Sequence, residues 1–518
     1  MHLRVKPIDL EAGGKGVVIL NKEDIAAMGI HALDRVQLTK GKKCMIAIVD
    51  VAEKFARPGE AVTNVELNTY FKLKPGEAID IKPVPPPESV AFIREKIRGG
   101  RLVAPEMLAI VKDVVERHVS DIELSAFVTA LDVHGMSMDE VEHLTRAMLA
   151  TGKTVKVPGK VICDKHSIGG IPGNNKSSML VVPIVAAAGL TIPKTSSRAI
   201  TSPAGTADCM EVLCPVALSA SEIIRVVKKT NACLVWGGAL DLAPADDAFI
   251  KVEYPLGIDP LMLPSIMAKK KALGSKFVVI DIPTGRGAKI KTIGEAHNLA
   301  EDFIELGQRL GMSVVCGITF GEQPLGWSMG PALEAQETLA ALAGKASPDV
   351  IEKATQLAGL LFDMVGKNGV SGKKLALDIL RSGKAEKKMR QIIGAQGGNP
   401  KVRIDDIAIG DKTVSVKSDT DGEVFWIKNT EIAAVAREAG APRDVCAGVR
   451  LGVKVGDSIK KGQTLFTIYA SSNTKLNAAL KLAEEYKPIV AGKHVSERML
   501  LDRVPTKIPH RKMFMLER

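Results

Sequence analysis

Aromatic residues are scarce in this 518-residue chain, at 4% of a composition that is 46% hydrophobic, with three Trp and four Tyr. No basic block is interleaved with them, which argues against a base-stacking platform for nucleic acid. Cysteine is sparse as well. The seven thiols (Cys44, Cys163, Cys209, Cys214, Cys233, Cys316 and Cys446) are odd in number and form no Cys-x-x-Cys pair, so neither a disulfide framework nor a thiolate zinc site is expected, and the compartment is read as reducing. Long apolar runs are missing too. The fullest, MLVVPIVAAAGLTI at 179–192, falls short of the roughly 18–20 residues of a membrane span, and the first residues, MHLRVKPIDLEAGGKG, lack the apolar core of a signal peptide. A cytoplasmic protein without a membrane partner is expected.

Acidic residues are outnumbered, 59 against 70 Lys and Arg, for a net charge of +11. The cations are spread along the chain, a distribution that a phosphorylated small molecule explains as well as nucleic acid does. The most informative stretch is 163–211. Its first loop, Lys165-His166-Ser167-Ile168-Gly169-Gly170 and on to Ser177 and Ser178, puts a cation, hydroxyls and open backbone N–H groups within a few residues. Its second, Ser196-Ser197-Arg198 through Gly205-Thr206-Ala207-Asp208, repeats the recipe across the apolar run, which reads as a buried core segment. Such loops at a helix start suit an oxyanion, because unpaired N–H groups converge there with the helix dipole; each alone would equally be an ordinary Gly/Ser turn. Residues 170–177 approach an ATP-binding P-loop, but Asn175 stands where glycine should precede the lysine, and an ATPase is excluded.

The expected architecture is multidomain α/β. Residues 1–84 are Val/Ile-rich runs with one short helix (KEDIAAMGI), a β-rich module that resembles a double-psi barrel and ends in a proline linker. Helical spacing and Ser caps over 88–155, joined by 247–273, predict an all-helical, discontinuous domain. Its His118, His134 and His143 have no carboxylate or Cys partner at metal-ligand spacing, so no metal is expected. An α/β phosphate-binding domain is expected at 160–245 plus 275–415, where KFVVIDI and MSVVCGITF read as buried strands. A C-terminal α+β element at 416–518 resembles a biotinyl- or lipoyl-type barrel sandwich without its attachment lysine.

KHSIGGIPGNNKSS resembles the KHSTGG phosphate loop of the thymidine and pyrimidine-nucleoside phosphorylases, and SSRAITSPAGTADCME is similar to their S-x-R-x-x-x-x-x-x-G-T-x-D-x-x-E signature. SIMAKK, PTGRGAK and QPLGWSMGPALEA match later blocks, in order, over roughly residues 88–490. The N-terminal module, Ile168 in place of Thr, Ser202-Pro203 and the lysine of Gly285-Arg286-Gly287-Ala288-Lys289 make the likeness greatest to the archaeal AMP phosphorylases.

That resemblance implies a pentosyltransferase without a cofactor that converts AMP or another nucleoside 5′-monophosphate and inorganic phosphate into free base and ribose 1,5-bisphosphate. This product would feed an isomerase and a form III ribulose-bisphosphate carboxylase. It implies a homo-oligomer, a dimer through the helical domain or larger through the N-terminal module. It places Lys165, His166, Ser167, Ser177, Ser196 and Thr206 at phosphate, with His166 also near the base, and Gly169, Ser196, Ser197, Arg198, Ala199, Ile200, Thr201, Thr206, Ser265, Lys269 and Lys289 at the nucleotide. Asp259 is the implied proton donor; from the residues alone it is equally an Asp-Pro turn, and as a donor it would need burial or a like charge to raise its pKa. For the 5′-phosphate, Lys289 and Arg198 lead over Arg286 and Lys291. The alternatives are a nucleoside phosphorylase, an anthranilate-type phosphoribosyltransferase and a non-catalytic nucleotide-binding assembly protein.

Overall fold

A computed structural model describes residues 1–200, 202–345, 347–366 and 371–492. The first strands close into a six-stranded barrel in the order His2–Pro7, Glu60–Thr63, Val17–Asn21, Lys43–Ala52, Arg35–Lys40, Ala78–Pro83. Alternating side chains fill it: Leu3 and Val5, Val18 and Leu20, Val36 and Leu38, and Ile79 and Ile81 all point into one core. Helices Lys22–Met28 and Val65–Phe71 are each started by an asparagine, Asn21 and Asn64, whose side chain accepts a backbone N–H of the first turn.

Four helices follow, Ser89–Ile97, Ala104–Val115, Asp121–His134 and Met138–Thr151. The apolar stripes of the last three meet in a core that Phe249, Val252, Leu261 and Ala268 complete from helices Pro244–Leu256 and Met262–Ala272 and the turn between them. The bundle is therefore assembled from two separate stretches of chain. Between and after them run parallel strands. Ser313–Phe320, Phe277–Thr284 and Cys163–Ser167 form one sheet in that order, and Ile192–Ser196 pairs with Ala232–Trp236 in another. The two abut where Cys163 N donates to Thr191 O at 2.7 Å. Strands Phe277–Thr284, Ser313–Phe320 and Ala232–Trp236 are mainly apolar, as expected of buried parallel strands, whereas Cys163–Ser167 and Ile192–Ser196 carry the polar side chains of the site.

Helix Asn175–Ala187 is buried around its whole circumference from Lys176 to Ala186. Helices Pro331–Leu342, Pro348–Val365 and Lys384–Ala395 pack on it, which explains an apolar run with no polar face. The C-terminal element comprises a four-stranded and a three-stranded sheet with helices Asn429–Glu438 and Asn473–Tyr486. Strand Lys412–Lys417 already belongs to it, and so does Ser328–Met329, which leaves the α/β unit to pair with Gly448–Leu451.

Candidate active site

Lys165, His166, Ser167 and Ser196 lie on the last residues of parallel strands, and Ser177 and Thr206 in the first turns of the helices that follow, where backbone donors are exposed. Strand Cys163–Ser167 carries Lys165 and His166 into its last turn of pleat, and Gly169 and Gly170 follow at φ +84° and +93°. Lys165 is fully buried. Its Nζ donates to Ser177 Oγ at 2.8 Å and Ser178 Oγ at 3.2 Å and lies 3.6 Å from Asp281 Oδ2. Asp281 also faces Lys353 Nζ at 3.1 Å and accepts from Asn174 Nδ2 and Thr319 Oγ1 at 3.0 and 2.6 Å. Burial pulls the Lys165 ammonium down to about 8 despite Asp281, helped by the charge of Lys353. Asn174 Nδ2 also donates to Ser167 Oγ, at 2.8 Å, and Gly169 N to the same oxygen at 3.3 Å.

The two loops are tied together by one carboxamide. Asn175 Nδ2 donates to Ala204 O at 2.9 Å and Glu334 Oε2 at 3.1 Å, while its Oδ1 accepts from Thr206 Oγ1 at 3.1 Å. Glu334 is fully buried, and desolvation pushes its pKa up to about 7. In the second loop Ser196 Oγ donates to Val235 O at 3.4 Å, and Ser197 O accepts Ala207 N at 3.3 Å. Asp208 Oδ2 accepts Ala199 N and Gly205 N at 2.7 and 2.9 Å. Arg198 is held by Asp208 and Glu211, at 3.1 Å and 2.7 Å, and lies over the Trp236 ring. Its charge thus fastens the loop. Ile200 is exposed and Thr201 lies outside the described residues.

Helix Met262–Ala272 faces both loops. Lys270 is buried and reaches Asp164 Oδ2 at 2.9 Å and Thr195 O at 3.5 Å. Lys269 Nζ donates to Asp246 Oδ2 at 2.5 Å and to Ser265 Oγ at 3.4 Å. Lys194, also buried, donates to Thr195 O at 2.6 Å. His166 Nδ1 is buried without a hydrogen-bond partner among the described residues, and desolvation plus Lys270, Lys194, Lys165 and Lys269 keep the ring well below its usual pKa, hence neutral.

A third loop, 285–289, is pinched shut by Gly285 N donating to Ile290 O at 3.0 Å. It lies so close to the first loop that a Cβ on Gly170 would sit 2.6 Å from Lys289 N. Lys289 Nζ donates to Asp259 Oδ2, from the turn between the two later bundle helices, and both side chains are more than a third exposed. The burial expected around Asp259 is absent from this arrangement. Beside it, Glu253 is buried, accepts Leu261 N at 3.1 Å, and is raised to about 7 by desolvation and the charge of Asp259. Arg286 is engaged by Glu322 at 3.0 Å and lies over Trp426, whereas Lys291 is exposed.

Residue spacing missed Asn174, Asn175, Asp281, Lys353, Glu253 and Glu334; an acid inside KFVVIDI was the available signal for Asp281. One expectation is corrected. Asp113 and Glu116 do flank His118, with ligand atoms all within 4.8 Å of one another, because the chain reverses at Arg117, which has a φ of +61°. His118 Nδ1 is 3.0 Å from Asp113 Oδ1, an ion-pair distance that accounts for the trio.

Residues 90–152 match the glycosyl transferase family, helical bundle domain; residues 159–386 match the glycosyl transferase family, a/b domain; and residues 424–489 match the pyrimidine nucleoside phosphorylase C-terminal domain. AMP phosphorylase of Thermofilum pendens is 46% identical over 518 residues, 100% of each chain. That of Thermococcus kodakarensis is 50% identical over 493 residues, 94% of this chain and 97% of its own, and that of Methanosarcina mazei is 46% identical over 509 residues, 98% and 99%. Among solved structures, anthranilate phosphoribosyltransferase from Thermus thermophilus superposes with a TM-score of 0.49 and 19% identity over 59% of this chain and 98% of that chain.

Proposed function

The chain belongs to the AMP phosphorylase family, and on that premise we propose that it cleaves AMP with inorganic phosphate into adenine and ribose 1,5-bisphosphate. It is an enzyme, a pentosyltransferase. A phosphate oxygen attacks ribose C1′ from the face opposite the base, the glycosidic bond breaks, and its electron pair leaves with the base, which takes a proton. Lys165, Ser167, Ser177, Ser196 and Thr206 hold the attacking phosphate in line, because charge-assisted donors fixed on strand ends orient it without reorganising. The backbone of 197–200 and Gly169 line the nucleotide. Neutral His166, with Ser265 and Lys269, faces the base, and Asp259 delivers the proton. Lys289 takes the 5′-phosphate; Arg198, already matched by two carboxylates, shapes its loop.

The observation that carries this reading is the joining of both phosphate loops through Asn175, with the Lys289 loop packed on Gly170. Released base measured with AMP, adenosine and thymidine, with and without phosphate, tests it. Phosphate-dependent release from AMP well above that from either nucleoside is expected. Preference for thymidine would favour a pyrimidine-nucleoside phosphorylase, the reading that the C-terminal match supports. The barrel is given a double-psi path and the assembly is a homo-oligomer. The sugar bisphosphate passes to an isomerase and a form III ribulose-bisphosphate carboxylase.

A further inference from the structure

Lys289 is the cation assigned to the 5′-phosphate, yet its ammonium lies on a carboxylate oxygen of Asp259, the group assigned to protonate the leaving base. The two come from different parts of the molecule. Lys289 belongs to the pinched loop that follows strand Phe277–Thr284, and Asp259 to the turn between bundle helices Pro244–Leu256 and Met262–Ala272. The pair therefore bridges the helical and α/β units beside the nucleotide loops. The Lys289 ammonium also lies 3.4 Å from the Met262 sulfur. The neighbouring cations are otherwise committed, Arg286 to Glu322 and Arg198 to Asp208 and Glu211.

An ammonium beside a carboxylate favours its anionic form, and an anion has no proton to hand to a base. A pair this exposed is also weak, whereas a phosphate dianion offers three strong acceptors and up to twice the charge. We infer that the Asp259–Lys289 pair is a guard worked by the substrate: a nucleoside 5′-monophosphate draws Lys289 onto its phosphate and so frees the Asp259 carboxylate to take up a proton from solvent and pass it to the leaving base. A nucleoside without the phosphate binds but leaves the acid covered. Selectivity then resides in turnover as well as in affinity, since the phosphate switches on a group at the far end of the ribose.

This rests on the roles proposed above for Lys289 and Asp259, and the test separates the two layers. In Lys289→Met, which keeps a long unbranched side chain without the charge, kcat/KM for AMP should fall by roughly 10- to 150-fold, as expected for one lost charge-assisted contact. The guard adds a result that simple phosphate binding does not: kcat for adenosine should rise by at least ~5-fold while its KM stays within about twofold. If AMP efficiency falls but adenosine kcat is unchanged or lower, Lys289 binds the phosphate and the guard is wrong. A gain for adenosine carried by KM alone also overturns it, because that reports only added space. An unchanged AMP efficiency removes the phosphate role and the guard together. Arg286→Met, which removes a nearby cation not on Asp259, should leave adenosine kcat where it was; an equal rise there would mean that lost local charge, not uncovering of the acid, is responsible. Thermal midpoints of both variants show that each is folded.

Discussion

Lys165 is buried away from solvent, and two serine hydroxyls and Asp281 surround its charge. Lys165→Ala should lower kcat/KM for phosphate by at least ~10-fold, or about 1.4 kcal/mol. Because burial brings this ammonium down to about 8, it is charged below that pH and neutral above it, so kcat/KM for phosphate should fall as pH rises past about 8 in a pH–rate profile of the wild type. Glu334 shows the opposite displacement, from 4.5 to about 7. The folded protein then holds a proton that the unfolded chain releases, a contribution fully present below 4.5 and lost as pH rises through about 7. Glu334→Gln keeps an acceptor for Asn175 and cannot ionise, so its melting temperature should drop less than that of the wild type between pH 5 and 8. Lys165 was legible because its neighbours are contiguous in a motif. Asp281 and Lys353 were not, since a single acid in an apolar strand announces that it must be satisfied but not which distant cation satisfies it.

Elements were legible where one period dominated. The helical bundle followed from apolar spacing and its Ser120 and Ser137 caps, which the structure bears out as capping boxes. The run after the first phosphate loop carried no period, and only its packing by three helices explains why it is helical at 175–187 and a strand from Ile192. Loop contacts were not legible, because spacing along the chain says nothing about what a glycine touches. Gly170 is the instance: at φ +93°, with Lys289 N 2.6 Å from where a Cβ would be, it sets the distance between two loops. Gly170→Ala should push the Lys289 loop outward, raising KM for AMP by about 10-fold or more. Adenosine, which needs no contact to that lysine, should change less, and steady-state kinetics on both substrates decide the point.

For the molecule as a whole, the chain carries a net charge of +11, and the proposed reaction brings two anions to it. Association with AMP should weaken with ionic strength, with kcat/KM falling roughly threefold or more between 0.05 and 0.5 M salt. The neutral adenosine serves as the control, and an identical salt response for both would exclude steering. The two stretches of the helical domain were expected from the sequence, but the crossing of Ser328–Met329 into the C-terminal sheet was not, because pairing between distant segments leaves no periodic trace. Ser328–Met329 is the case with the longest reach. It is paired with Gly448–Leu451, and the carbonyl of Ser328 receives the ammonium of Lys176, the neighbour of Asn175. On the ribosome, the loops near residue 170 emerge early but wait for a strand made much later before their anchor is in place. A nascent chain that stops short of Gly448 therefore holds the phosphate motifs while the strand behind the Lys176 anchor still lacks its partner.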